Sequence, residues 1–545
     1  MLIICLDLRK KRNKNHYMKK ILFSVIATFL FVGVSSAYLY TPGGTWSSES
    51  SWARSTSDTS PVVVPDSNDM IANLYWSFTD INVDGDYTLS ALSMNRDVGS
   101  AWSSKGLGDI ARPTVNLSGT KPDGSDGSIN FDIANNSGGY VIYGSNNGES
   151  VTTLNAYKNS NSTGVFHTYD WRMTFNGGQI NITDSANTGT RTAYISISGD
   201  IAADWTGYTY VYDFSSAINS TENLTLKGWG GSDTSTGVFK MEFNNSVNLK
   251  NGDTYQKLAL SDTKTKTGLM VSMAAGTTSN IGALEMGVNT SLVLDGTLNV
   301  NAKSSIASGA KFTINGVYKY SGSLAINGEL EVNGILNAVS SDPYITVNST
   351  GKLTVNSANK GDFYTYTGVR VSGGTLVINS DSFNASQKLW MLTPSNGATN
   401  VIELNSDASL YSFCWITDSK TQIIFDGESV LHLKNLSSNN GDYWSRALDE
   451  TIGLELVNYK NGLIQVDRLT DNSWTDPDRT KNATDNLEYI VADGFEAGSM
   501  EWVWHDETST YWLEGAAIPE PSVFAFLFGG FASVYILVRR TKKIR

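Results

Sequence analysis

The sequence predicts an all-β protein: a right-handed parallel β-helix, or solenoid, with an N-terminal signal helix and a single C-terminal transmembrane helix. Three observations predict it. Apolar pairs at i and i+2 recur with a period near 22 residues in the middle of the chain. Asn-Gly and Asp-Gly dipeptides separate short alternating segments, which is typical of many short strands. An apolar run lies near each end of the chain beside basic residues.

The N-terminal apolar run predicts a secretory signal peptide. Met18-Lys19-Lys20 precedes the apolar residues 21–34, and the small residues Ser35-Ser36-Ala37 follow. A basic region, an apolar stretch and small residues are the three parts of such a signal. We therefore assign residues 1–37 to a signal peptide with an extended basic region and expect cleavage after Ala37. An uncleaved N-terminal anchor is the alternative.

The body between the two ends is strongly acidic and nearly free of cysteine. Residues 38–515 hold 28 Lys and Arg against 51 Asp and Glu, a net charge near −23. Nucleic-acid binding needs clustered Lys and Arg, so we expect no nucleic-acid partner. Cys414 is the body's one cysteine, which excludes an intramolecular disulfide. Its neighbours Phe413 and Trp415 indicate a buried, small apolar side chain.

The clearest repeat lies in residues 281–380. One series of apolar pairs begins at residues 324, 345 and 369, and a second begins at 330, 353 and 376. Because residues i and i+2 share one strand face, each pair directs two side chains into a core. Two interleaved series predict two strands per coil of a solenoid. Dipeptides such as Asn315-Gly316 and Asn333-Gly334 are expected to form the corners, with residues that tolerate positive φ.

The rest of the body divides by composition. We predict a Trp-bearing lead-in and first coils over 38–105, irregular β-rich coils with long loops over 106–280, and the regular β-helix over 281–470. Residues 471–515 are aromatic and acidic, and we expect them to cap the open end of the solenoid. The opening, with Trp46, Trp52 and the segment 81–94, resembles the β-helical passengers of autotransporters. That resemblance implies a fold rather than an activity.

The C-terminal segment 516–545 has three parts in a fixed order. Pro519-Glu520-Pro521 precedes an uncharged apolar run from Val523 to Val538, whose length approaches that of a membrane span. A basic tail follows, and positive charge favours the cytoplasmic side; its cations are Arg539, Arg540, Lys542, Lys543 and Arg545.

This tripartite tail resembles the PEP-CTERM sorting signal of Gram-negative surface proteins. The resemblance implies recognition by an exosortase-type processing machinery and transient anchoring in the inner membrane. It also implies release to the cell surface or into an extracellular polysaccharide matrix. The alternative for the apolar run is a buried core helix.

Catalytic and metal-binding candidates are few. Glu329 and Glu331 share the outer face of one predicted strand about 6.6 Å apart, close to the carboxylate spacing of inverting glycosidases. A solvated acidic face is the alternative for this pair. Residues 476–478 are acidic enough for weak Ca²⁺ binding, but their composition favours a polar turn. The widely separated His167, His432 and His505 do not predict a metal site, and we expect no cofactor.

The sequence therefore predicts an exported structural or adhesive β-solenoid of the cell surface or extracellular matrix, associated with exopolysaccharide and without enzymatic activity. One alternative is a polysaccharide lyase or glycoside hydrolase on the same scaffold. A second alternative is a glycan- or ice-binding module, which would show a flat outward array of Thr or aromatic residues in register on successive coils.

Overall fold

The computed structural model describes most of the chain between residues 37 and 518. The described ranges are 37–41, 44–52, 64–75, 79–95, 114–135, 140–145, 171–186, 191–199, 209–230, 238–262, 268–341, 343–383, 388–416, 419–436, 445–446, 453–469 and 487–518. Within these ranges the protein is all-β, with short 3₁₀ turns at Glu49–Ser51, Ile133–Asn135 and Leu487–Tyr489. None of the described segments forms an apolar helix of bilayer-spanning length.

Sixteen strands form a continuous parallel sheet, here called sheet 1, in which every coil pairs with the next. Its strands are β2 (Gly44–Thr45), β4 (Thr79–Asn82), β6 (Thr114–Ser118), β9 (Trp171–Asn176), β12 (Thr209–Phe214), β15 (Val238–Phe243), β19 (Leu269–Met273), β22 (Thr290–Leu294), β25 (Lys311–Ile314), β28 (Glu329–Val332), β31 (Lys352–Val355), β34 (Thr375–Ile378), β36 (Asn400–Leu404), β39 (Thr421–Phe425), β42 (Leu454–Val457) and β44 (Ile490–Ala492).

A second parallel sheet contains two rows of strands that share their first three members, β1 (Ala37–Thr41), β3 (Ser67–Tyr75) and β5 (Asp86–Asn95). The long β5 pairs with the first strand of both rows, so the two rows separate after it.

Row A of this sheet consists of β7 (Ser128–Asp132), β10 (Gln179–Thr183), β13 (Ala217–Ser220), β16 (Val247–Asn251), β20 (Thr278–Ile281), β23 (Thr297–Val300), β26 (Val317–Tyr320), β29 (Ile335–Ala338) and β32 (Phe363–Tyr364). Row B consists of β8 (Tyr140–Ser145), β11 (Thr192–Gly199), β14 (Asn223–Gly230), β18 (Leu258–Asp262), β21 (Leu284–Met286), β24 (Ser304–Ile306), β27 (Leu324–Ile326), β30 (Ile345–Asn348), β33 (Val369–Ser372), β35 (Lys388–Met391), β38 (Ser412–Ile416) and β41 (Ser445–Arg446). The short β17 (Thr254–Tyr255) folds back on β16.

A five-stranded sheet ends the described chain. Its first three strands are parallel, and its last two form an antiparallel hairpin. The strands are β37 (Ala408–Leu410), β40 (Leu431–Asn435), β43 (Ile464–Arg468), β46 (Thr510–Glu514) and β45 (Glu501–His505). Pairing therefore changes from parallel to antiparallel within the segment predicted as a cap.

Both predicted series of apolar pairs align in register. The pairs that begin at Leu324, Ile345 and Val369 lie in row B. Those that begin at residues 330, 353 and 376 lie in sheet 1. The β-helix-like, all-β parallel arrangement expected from the sequence is thus confirmed.

The prediction of two strands per coil was wrong, because row A adds a third strand. In this region row A is built on Tyr318, Leu336 and Phe363, which are all buried. Its members include the two-residue strand β32, which carries no i, i+2 pair. The coils therefore have three sides.

Glycines occupy the predicted corners, but for a different reason from the one expected. Gly296, Gly316 and Gly334 are not among the glycines with positive φ. A Cβ on Gly316 would lie 2.1 Å from the Gly296 carbonyl oxygen, and one on Gly334 would lie 2.2 Å from that of Gly316. Close stacking of successive corners, rather than backbone handedness, therefore requires glycine here.

One apolar core runs through the coils. In most described strands of sheet 1 buried and outward residues alternate, as at Thr290–Leu294 and Asn400–Leu404. Phe175, Phe214 and Phe243 stack on three successive coils, with ring centroids 4.7 and 5.1 Å apart. The described parts of 106–280, expected to be irregular, belong to the same stack, although their coils differ in length and the pairing of β8 with β11 shifts register at Tyr194.

Candidate functional site: an asparagine face

A column of six asparagines lies on the outer side of row A. Each lies in the middle or near the end of its strand and is half-buried. Pairing places each directly beside the next on successive coils. The column consists of Asn130, Asn181, Asn219, Asn248, Asn280 and Asn299.

The side-chain amides of this column bond to one another. Asn181 Nδ2 donates to Asn130 Oδ1 at 2.9 Å, and Asn219 donates to Asn181 at 3.1 Å. Beyond them, Asn280 donates to Asn248 and Asn299 donates to Asn280, both at 2.9 Å. Each donor lies one coil later than its acceptor. The column thus contains two ladders of three amides.

The ladders use only part of each amide's bonding capacity. An asparagine amide has two N–H donors and an oxygen with two lone pairs. Asn181 and Asn280 each spend one donor and one lone pair within the ladder. The remaining donor and lone pair are available for water or a ligand, on a side chain that the ladder holds in place.

A second outward column lies two residues before the asparagines, and its residues are uncharged. It comprises Ser128, Gln179, Ala217, Ser246, Thr278 and Thr297. Ser128 and Ser246 accept hydrogen bonds from Asn130 and Asn248, both at 3.2 Å. We call the two columns together the asparagine face.

The asparagine face is uncharged over six coils, and charged residues bound it. At its N-terminal end Asp86 pairs with Ser128 and accepts a hydrogen bond from its hydroxyl at 2.7 Å. At its C-terminal end Lys319 takes the place next to Asn299. The body carries 51 acidic residues, so twelve neighbouring outward positions without a charge differ from the acidic composition of the rest of the body.

A different asparagine ladder occupies the corner after sheet 1. Asn315 donates to Asp295 at 2.8 Å, and the bonds continue coil by coil to Asn405. At these corners the backbone N–H groups of Asn333 and Gly334 both donate to Ile314 O. We call this the corner ladder; its members are Asp295, Asn315, Asn333, Asn356, Asn379 and Asn405.

The predicted carboxylate pair lies on the outer face of sheet 1, as expected from the buried Leu330 and Val332. Basic residues flank it on both adjacent coils, because Lys311 and Lys352 pair with Glu329. Glu331 forms an ion pair with Lys311 at 3.3 Å and accepts a hydrogen bond from Asn356. The surroundings are therefore those of a charge-balanced outer face.

The described histidines have carboxylate partners. His432 Nε2 lies 2.7 Å from Asp467, and His505 Nε2 lies 2.9 Å from Glu514. His505 also stacks on Trp512 at 4.0 Å. Within the described ranges, no three His, Cys, Asp or Glu side chains come together in a group that could hold a metal ion.

The described tryptophans range from buried to exposed. Trp46 and Trp52 are buried at the N-terminal end, edge to face at 4.8 Å. Trp504 on the terminal hairpin is 46% exposed and packs on Tyr511 at 4.9 Å. Cys414 is buried, as predicted. Trp504 lies on the terminal hairpin and not at a position repeated on successive coils, so it is not part of an aromatic array along the solenoid.

Several predicted residues lie outside the described part of the chain. These are residues 1–36, His167, residues 476–478, and the whole tail from Pro519 to Arg545. The predicted cleavage residue, Ala37, is the first residue of β1. Comparisons of the chain with protein-family models, curated proteins and solved structures found no match.

Proposed function

We propose that the protein is an exported structural solenoid of the cell surface or extracellular matrix, sorted through its C-terminal PEP-CTERM-like tail and associated with exopolysaccharide. One observation supports this most directly: sixteen coils stack in an unbroken parallel sheet. At about 4.8 Å per strand, fifteen intervals give a rod of roughly 70 Å. Such a rod separates its two ends by a fixed distance.

The placement of the tail fits this role. The last described residue, Ile518, lies at the terminal hairpin, where its N–H donates to Gly494 O. The sorting motif starts at the next residue, so an anchor in the membrane would hold the rod by its C-terminal end. The N-terminal coils, with Trp46 and Trp52, would then project outward.

The finer features of the fold belong to the same proposal. Parallel crossover connections are right-handed in nearly all proteins, which favours a right-handed coil. A signal helix in residues 1–37 would direct export, and removal after Ala37 would leave 38–41 in β1. The run from Val523 to Val538 would span the inner membrane until the exosortase acts near Pro519-Glu520-Pro521.

The test follows the full chain in a Gram-negative host that carries an exosortase. We expect the wild-type protein to reach the surface or medium in a shortened form. Replacing Pro519, Glu520 and Pro521 by alanine should leave an unprocessed, membrane-bound precursor. The matched control replaces Ser499, Glu501 and Ser509 by alanine, upstream of the tail. A precursor found wholly in the cytosol, or normal processing of the triple-alanine variant, would refute the proposal.

A further inference from the structure

We infer that the asparagine face binds a neutral, linear polysaccharide laid along the axis of the solenoid. This inference deepens the proposed function, because it names the binding surface and the kind of exopolysaccharide. It depends on the two outward columns of row A, from Ser128 and Asn130 to Thr297 and Asn299. It requires neither the tail nor the membrane.

Charge selects a neutral polymer. A polyanionic glycan would be repelled by a body with a net charge near −23. The twelve positions of the asparagine face include no cation. Lys319 borders the face at its C-terminal end, and Lys250 borders it at the side, two residues after Asn248, where its ammonium group lies over the Tyr255 ring. A neutral glycan meets no such repulsion, and none of the twelve positions of the face carries a charged group that must be desolvated on binding.

Hydrogen bonding selects a sugar. Glycan hydroxyls both donate and accept, and each amide of the face keeps a donor and an acceptor beyond those the ladder uses. The serine and threonine hydroxyls of the second column add further groups of the same dual kind. Because the ladder already fixes the amides, little side-chain entropy remains to be lost when a ligand binds.

Backbone requirements do not explain the asparagines. Asn is depleted in strands, where Val, Ile and Thr are favoured. The backbone of row A pairs these coils in register, so the asparagine side chains are not needed to satisfy backbone hydrogen bonds. Six asparagines in successive coils therefore oppose local propensity, and departures of that kind concentrate at functional sites.

Spacing selects a linear chain. Neighbouring amides are separated by about 4.8 Å, so six of them extend over roughly 24 Å. An extended chain of sugar rings advances by a comparable distance per unit, so successive rings meet successive coils. Each contact is weak and exposed, and affinity must come from several contacts made at once.

The experiment measures binding of cello-oligosaccharides of increasing length to the purified full chain in detergent. Affinity should rise steeply with length and level off once the oligosaccharide covers about five inter-strand intervals. The variant Asn181→Val, Asn219→Val, Asn280→Val should bind the long oligosaccharides about tenfold more weakly or worse, since each substitution removes hydrogen bonds. Valine suits a strand, so the coils are expected to remain folded.

The matched control is Thr313→Val, Thr354→Val, Thr375→Val, which changes three half-buried outward residues on sheet 1. It should bind as the wild type does. Hydrogen exchange of the wild type with bound oligosaccharide gives a second readout that needs no variant: protection should fall on β7, β10, β13, β16, β20 and β23.

Four results would overturn the inference. They are the absence of binding by the wild type at any length, equal loss in the control variant, protection confined to other strands, and preferential binding of an oligouronate. Correct sorting without glycan binding would refute this inference alone, whereas binding by a chain that stays in the cytosol would refute the proposed function alone.

Discussion

The corner ladder and the asparagine face use the same amide-to-amide bond in two different settings. At the corner, Asn333 lies where the chain turns, beside a glycine that touches the coil before it. On the face, Asn219 lies inside a strand whose backbone already fixes its position. From this comparison we expect the side-chain ladder to stabilise the fold at the corner and to contribute little to stability on the face.

The largest effect is expected at the corner glycines. Gly316→Ala would place a Cβ 2.1 Å from the Gly296 carbonyl oxygen, so two coils must separate. We expect a loss of about 3 kcal/mol in the free energy of opening these coils, the upper range for overpacking. Native-state hydrogen exchange measures it. Gly276→Ala, which meets no atom but has a φ of +79°, should lose only about 1 kcal/mol.

The corner ladder itself should give the next largest effect. Asn333→Ala removes the bonds from Asn333 to Asn315 and from Asn356 to Asn333, at 2.9 and 2.8 Å. We expect a loss of about 1–2 kcal/mol in the opening free energy of the adjacent coils. An unchanged exchange rate in β28 and β31 would show that the corner does not depend on its amides.

The stability of the turn around Asp84, between β4 and β5, should depend on pH, whereas that of the corner ladder's asparagines should not. Burial disfavours the Asp84 carboxylate, but hydrogen bonds from Ser47 and Tyr87 outweigh burial and hold the pKa of Asp84 below 3.8. The stabilisation is therefore complete above the unfolded pKa and is lost as the pH falls through the lower, folded pKa.

Hydrogen exchange followed as the pH is lowered below about 4 should show β2 and β4 opening before β25 and β28. Asp84→Asn should open them at all pH values and remove the pH step. A step that persists in this variant would assign the transition to other carboxyl groups.

The smallest effect is expected on the asparagine face. Asn219→Val removes the bond to Asn181 but introduces a residue that strands favour. The two terms nearly cancel, and we expect a change of less than about 0.5 kcal/mol in the opening free energy of β13. A loss as large as that of Asn333→Ala would show that the face ladder is structural and would remove the distinction between the two.

The fold could be predicted from the sequence in the region where buried apolar pairs repeat at a regular interval. The pairs that begin at Leu330, Leu353 and Leu376 are 23 residues apart, and apolar pairs at a steady interval can only be core positions of stacked coils. Row A did not emerge as a third series because its core positions Tyr318, Leu336 and Phe363 are unevenly spaced and Phe363 forms a two-residue strand without an apolar partner. The stack of Phe175, Phe214 and Phe243 was missed because coil length varies there.

The asparagine face was not predictable in the same way. The intervals from Asn130 to Asn181 and on to Asn219 are 51 and 38 residues, and that from Asn280 to Asn299 is 19. Outward positions carry no hydrophobic signal, so only the strand register aligns them. A recurring apolar residue followed by Asn, as in Ile180-Asn181 and Ile218-Asn219, was the one local sign.

The order of donors and acceptors along the face gives the rod a sense of direction. In each bond the later coil donates to the earlier one. The amide dipoles therefore add head to tail, as peptide dipoles do in a helix. A sugar chain also has two unlike ends, reducing and non-reducing. A glycan lying on these amides would be held in one orientation relative to its rod and not in its reverse, so rods anchored side by side by their C-terminal ends would hold their glycan strands running the same way.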